Sequence, residues 1–178
     1  MPRLHVVEPN EATGKTAELY TGVEKEIGKV INIFKGMGNS PAALNAYLSL
    51  GRALGEGELT AVEREVIALA ISEKNECHYC LAAHTAIGAG VGLIAEEALK
   101  VRKGEATDPK HEVLVDFVLA IQENKGFVSD ADIGTVRTAG YSDGAIAEAV
   151  GVVAQTIFTN FFNHVNETEI DFPTAPPL

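Results

Sequence analysis

The chain has no tryptophan, two methionines and two cysteines, and both cysteines fall in one short stretch, CHYCLAAH, from Cys77 to His84. A single pair this close cannot form a disulfide framework between distant segments. Nor does a second Cys or His pair with finger-like spacing exist, which disfavours structural zinc, since such sites draw on two ligand pairs. Positive charge is also scarce. Fourteen Lys and Arg stand against 25 Asp and Glu, for a formal net charge of -11 and a pI near 4.8. A surface of that sign repels phosphate backbones and anionic bilayers, so nucleic-acid and membrane partners are not expected. Apolar runs such as VIALAI, Val66 to Ile71, fall far short of the ~20 residues of a membrane span. The N-terminal MPRLHVVEPNEATGK lacks the continuous apolar core of a signal peptide. The glycines at Gly88 to Gly92 follow a helix instead of joining a strand to one, so no phosphate loop is present. A cytoplasmic protein is the expectation, and reducing cytosol makes a structural disulfide a poor use of the two thiols.

What is present is ordinary globular material: 178 residues, 46% hydrophobic and 22% charged, the size of a single domain spanning residues 1–178. The apolar period is helical almost throughout, and no segment alternates as a strand does, so the fold class expected is all-α. A first helix should begin after Asn10 and run through Leu19, Val23 and Ile27. Gly36 and Gly38 punctuate the following turn. Ser40 and Pro41 open a helix to about Leu54, and Thr60 with Glu63 forms a capping box for one from Ala61 to about Ser72. Further helices are expected from Glu76 or Cys77 to Gly88–Gly92, over Ile94 to Arg102, from Asp108-Pro109 to about Glu123, from Asp130, and from Ser142 or Asp143 to about Asn166. The extended start, to about Pro9, and the proline-rich end DFPTAPPL read as arms of the kind that cross a neighbouring subunit.

An offset of 83 residues aligns EVIALAISEKNECHYC, from Glu65, with EAVGVVAQTIFTNFFN, from Glu148. Glu65 then falls on Glu148, Leu69 on Val152, Cys77 on Asn160 and Cys80 on Asn163. Duplication and the chance alignment of two apolar faces both account for it.

If the CHYCLAAH segment is helical, Cys77, Cys80 and His84 share one face at i, i+3 and i+7. An imidazole one turn from Cys80 can take its proton or stabilise its thiolate. Cys77, in the first turn, would meet unpaired amides that favour an anion. Glu65 lies on or near the apolar face of the preceding helix, where a carboxylate is costly without a partner. His84 or a thiol is the candidate partner, and the pair could relay protons. His78 points off the cysteine face, while Tyr79 could donate to a thiolate or simply pack. His164 fits a polar network, a subunit contact or a pocket. The residues alone leave three readings of the pair open: redox or nucleophilic chemistry, two small core residues, or a metal site made by Cys77, Cys80 and His84 with Glu65 or His78.

Glu65, twelve residues to Cys77, and C-x-x-C-x-x-x-H ending at His84 together resemble the signature of the carboxymuconolactone decarboxylase-like superfamily in its alkyl hydroperoxidase D (AhpD)-like branch. The strong match covers Leu59 to Gly90. Asn-Phe-Phe-Asn-His, Asn160 to His164, and Asp-Phe-Pro at Asp171 to Pro173 are similar to peroxidase-related members. The resemblance implies an AhpD-like helical fold of two related halves, assembled as a homotrimer or homohexamer. It also implies a thiol-dependent peroxidase or disulfide reductase that acts on a hydroperoxide or a partner-protein disulfide, is recycled by an external dithiol, and needs no bound cofactor or metal. By the same resemblance Cys80 attacks the peroxide, Cys77 resolves the sulfenic acid, and Glu65 with His84 forms the proton relay. One position departs from the pattern: Tyr79 stands before the second cysteine where a histidine is usual, with His78 one place earlier, implying a shorter or differently wired relay. A lactone decarboxylase, which needs no redox dithiol, is the enzymatic alternative, and a non-catalytic helical oligomer or metal-binding module is the alternative outside catalysis.

Overall fold

Residues 1–178 are described in a computed structural model, in which every regular element is a helix. In chain order these are α1 (Gly14–Ile27), α2 (Asn32–Met37), α3 (Pro41–Gly55), α4 (Ala61–Lys74), α5 (His78–Gly90), α6 (Ala95–Arg102), α7 (Pro109–Glu123), α8 (Asp130–Thr138) and α9 (Asp143–Asn166). Side-chain caps fix most of the starts. Thr60 Oγ1 accepts from the Glu63 amide at 3.1 Å while Glu63 Oε2 accepts from the Thr60 amide at 2.8 Å, closing the expected capping box on α4. Ser129 and Asp132 do the same for α8. Ser40, Asp108 and Ser142 cap α3, α7 and α9.

Two boundaries differ from the sequence expectation. α1 starts at Gly14, because Glu8 O takes the amides of Glu11 and Ala12 into a separate turn first. α2 occupies a segment where Gly36 and Gly38 predict a turn; both are instead packing glycines. A Cβ on Gly36 would lie 2.8 Å from Asn166 Nδ2, and one on Gly38 would lie 2.1 Å from the Tyr20 hydroxyl. Close approach of neighbours, not backbone freedom, selects glycine there.

Two apolar clusters fill the interior. One, around Ile67, Leu69, Val115, Val118 and Val153, lies between α4, α7 and α9. The other gathers Tyr20, Phe34, Met37 and Leu44 from α1, α2 and α3 with Tyr79 and both cysteines. α4 and α9 pack against each other between them. α9 reaches 24 residues with a mean hydropathy of 1.4 over its most apolar window, enough in length and composition to cross a membrane, which the short uninterrupted apolar runs do not predict. Its inner face, however, carries buried Asn160, Asn163 and Asn166, each bonded within the protein, which suits a core helix.

Both arms lie on the chain's own body, not extended away from it. Arg3 N donates to Asn166 O at 2.8 Å and Val7 N to Lys35 O at 3.1 Å. At the other end Asp171 binds α2 and α5, and Arg102 donates to Pro176 O.

Candidate active site

The site forms where the α4–α5 connection breaks. Glu76 takes a left-handed conformation, φ 55°, and the Cys77 amide turns back to Ser72 O at 2.9 Å. Cys77 is therefore the residue that caps α5 instead of a member of its first turn: its Sγ accepts from the Cys80 amide at 3.4 Å. A chain of amides fastens the break. Gln122 donates to Asn75, Asn75 to Asn160 and Asn160 to Ser72, at 2.8, 2.9 and 3.1 Å.

The two cysteines are unbridged and buried, with 1% exposure at Cys77 and 2% at Cys80, yet their surroundings differ. Cys80, His84, Tyr47, Phe34, Phe172 and Asn163 are among the residues around a cavity of about 50 Å³; Cys77 lies behind it. The Cys80 thiol is lowered to about 6, first because the Cys77 thiol donates to it, against the cost of burial, and then through His84, Asn163 and Asn160. The same contact with Cys80, together with burial, pushes the Cys77 thiol up. An anion at Cys77, expected from its place at the helix start, is thus corrected: the anion belongs to Cys80, which Cys77 serves as donor.

His84 Nδ1 sits 2.8 Å from Glu65 Oε2, with 20% and 13% of the two side chains exposed. Burial alone would lower the imidazole; the Glu65 carboxylate and the Cys80 charge more than offset this and hold it above its ordinary value. With Nδ1 engaged by Glu65, Nε2 is the nitrogen left to exchange a proton. All four sequence candidates, Glu65, Cys77, Cys80 and His84, thus meet in one place. A second cavity of about 190 Å³ reaches Glu65 and His84 past Arg64 and Gln155. No three His, Cys, Asp or Glu side chains converge as a ligand set for a metal.

The flanking residues resolve differently. His78 and His164 are exposed. Tyr79 makes no bond to sulfur: its hydroxyl donates to Asp171 Oδ1 at 2.8 Å and accepts from the Ile33 amide at 3.3 Å. Asp171 Oδ2 also accepts from Asn32 N at 3.1 Å, capping α2 from the far end of the chain. Phe172 then stands edge-on to Tyr79, ring centroids 5.8 Å apart, with Lys29 over its other side. Phe172 therefore walls both the Cys80 cavity and an outer groove of about 440 Å³.

Asn163, Tyr47, Asp171 and Phe172 were not among the sequence candidates. Asn163 had a signal in its alignment with Cys80 at the 83-residue offset, and Asp171 and Phe172 had one in the Asp-Phe-Pro likeness to peroxidase-related members; Tyr47 had none. Asn163 Nδ2 donates to Cys80 Sγ at 3.2 Å, so the aligned positions face each other across the packed helices. Tyr47 lines all three cavities; burial, then the charges of Cys80 and Glu65, push its phenol up to about 12.

The model of the carboxymuconolactone decarboxylase family matches residues 41–123, α3 to α7. No curated protein matches the chain. Among solved structures, an uncharacterized peroxidase-related protein from Ralstonia eutropha with an alkylhydroperoxidase AhpD core superposes with a TM-score of 0.87 at 25% identity, over 96% of this chain and 92% of that one. Another uncharacterized peroxidase-related protein, from Silicibacter sp. TM1040, gives 0.82 at 24% identity over 94% and 89%. The debrominase Bmp8, as a Cys-to-Ala variant holding 2,3,4-tribromopyrrole, gives 0.78 at 17% identity over 96% and 94%. The matched segment and the all-helical fold together support assignment of the chain to the carboxymuconolactone decarboxylase-like, AhpD-like superfamily.

Proposed function

We propose that the protein is a thiol-dependent peroxidase or disulfide reductase whose working thiol is Cys80. The observation that carries this reading is the division of labour within the pair: Cys80 faces a cavity and is lowered to about 6, while Cys77 sits behind it with its thiol pushed up. The Cys80 thiolate attacks the distal oxygen of a hydroperoxide, the O–O bond breaks, and the departing alkoxide takes a proton from the His84 imidazolium, which Glu65 holds in place. Cys80 is left as a sulfenic acid. The Cys77 thiol then attacks that sulfur, its proton leaves with the hydroxyl as water, and a Cys77–Cys80 disulfide forms. An external dithiol restores the pair. A partner-protein disulfide would enter the same cycle by exchange at Cys80. The likeness to a peroxidase-related protein supports the oxidant assignment, and the dithiol itself disfavours the lactone decarboxylase alternative.

The same reading places the protein in the cytoplasm as a homotrimer or homohexamer. An apolar stripe on the outer side of α9, Val150, Phe158, Phe161 and Val165, supports assembly with further copies.

Peroxide consumption with dithiothreitol as reductant tests the proposal. Wild type should consume peroxide and accumulate a Cys77–Cys80 disulfide visible by mass spectrometry. Cys80→Ser should fall to background, and Cys77→Ser should stop after forming a sulfenic acid. Equal rates in all three would sink it.

A further inference from the structure

Asn163 brings an unpaired acceptor to the thiol site. The residue is 4% exposed and lines the Cys80 cavity. Its Nδ2 donates to Cys80 Sγ at 3.2 Å and reaches Cys77 Sγ at 3.9 Å, while its Oδ1 is buried with no hydrogen-bond partner. Leaving a buried amide oxygen without a donor carries its full desolvation penalty. The amide cannot escape that cost by turning over, because a thiolate only accepts, and turning would set oxygen against sulfur. Asn163 lines the cavity beside Cys80, so a molecule entering there can supply the donor that Oδ1 lacks.

A hydroperoxide supplies one. The oxygen that a thiolate attacks is the one bearing hydrogen, and that hydrogen lies off the S···O–O axis. An amide whose nitrogen already touches the sulfur has its oxygen beside that position. We propose that Asn163 is a further catalytic residue, Nδ2 holding the Cys80 thiolate and Oδ1 accepting the hydrogen bond of the peroxide's distal O–H. In the transfer the S–O bond forms as the O–O bond breaks, sulfur is oxidised, the peroxide oxygens are reduced, and the alkoxide is protonated by His84. The distal hydrogen stays on its oxygen throughout, so Oδ1 next holds the O–H of the Cys80 sulfenic acid until Cys77 displaces it as water.

This assignment rests on the peroxidase reading, and two electrophiles separate them. In a Cys77→Ser background, Cys80 is reacted with hydrogen peroxide, with dimedone trapping of the sulfenic acid, and with iodoacetamide, which carries no O–H to the sulfur. Rates are compared at a pH where Cys80 is fully ionised in each protein. Asn163→Ala is expected to lower the ratio of the peroxide rate to the alkylation rate by on the order of tenfold to a hundredfold. Asn163→Ser, which returns a short acceptor and guards against a folding defect in the first variant, should recover part of the peroxide rate. An unchanged peroxide rate, or equal losses with both electrophiles, overturns the assignment. A Cys77→Ser parent that is alkylated yet inert to peroxide overturns the underlying reading, and the assignment with it.

Discussion

A buried thiol ionises near neutral pH only where donors outweigh desolvation, and Cys80 and Cys77, one helical turn apart, show both outcomes. Cys80 collects the Cys77 thiol, His84, Asn163 and Asn160, and falls to about 6; Cys77, its own thiol turned to donation, goes up. A pH profile follows with definite signs. Thiolate grows as pH rises through about 6, and the His84 imidazolium is lost as pH passes its own raised value, so single-turnover oxidation should rise and then fall. Glu65→Gln removes the charge that raises His84; the descending limb should move to lower pH and the maximal rate drop on the order of tenfold to a hundredfold. Stopped-flow oxidation against pH checks this, and an unmoved descending limb would contradict it. The spacing of Glu65, Cys77, Cys80 and His84 was enough to name this cluster, because helical period alone sets which of these side chains can meet. Tyr79 was harder to read. Its partner, Asp171, lies 92 residues away, and no local pattern announces a contact of that range.

At the scale of elements, the break between α4 and α5 makes the site. The aligned stretch of α9 runs unbroken from Glu148 through Asn163, whereas here the chain bends at Asn75, Glu76 and Cys77, and the bend turns an interior position into a cap. Glu76 bears the strain, as a non-glycine residue at φ 55°, a conformation that disfavours side chains and most of all β-branched ones. At this exposed position Glu76→Val should cost about 1–2 kcal/mol in urea unfolding, while Glu76→Gly should change stability by less than about 1 kcal/mol. Equal stability of the two variants would show that the bend imposes no such preference. Caps such as Thr60, Asp108 and Ser142 were legible because their chemistry is local. α2 was not, because the atoms that demand glycine at Gly36 and Gly38 belong to Asn166, Phe162 and Tyr20, invisible in the segment's own sequence.

Across the whole molecule the helical class and the likeness to AhpD-core proteins could be read from the chain, whereas the contacts its ends make with its own body could not. Both arms pack on the chain's own second apolar cluster, the first held through Arg3 and Val7, the last through Asp171 meeting Tyr79 and Asn32. The closing wall has a consequence in time. On the scale of about 10–15 Å³ of cavity to hold one water, the space of about 50 Å³ beside Cys80 admits hydrogen peroxide but not a bulky hydroperoxide, which must wait for Phe172 to swing aside. Oxidation by hydrogen peroxide should therefore rise linearly with concentration, whereas oxidation by cumene hydroperoxide should level off at the frequency of that swing. Deleting residues 171–178 is expected to abolish the plateau; a linear response to cumene hydroperoxide in the intact chain would refute the wait. Preference among oxidants then becomes a matter of tempo, with large ones limited by the protein's own motion and small ones by their abundance.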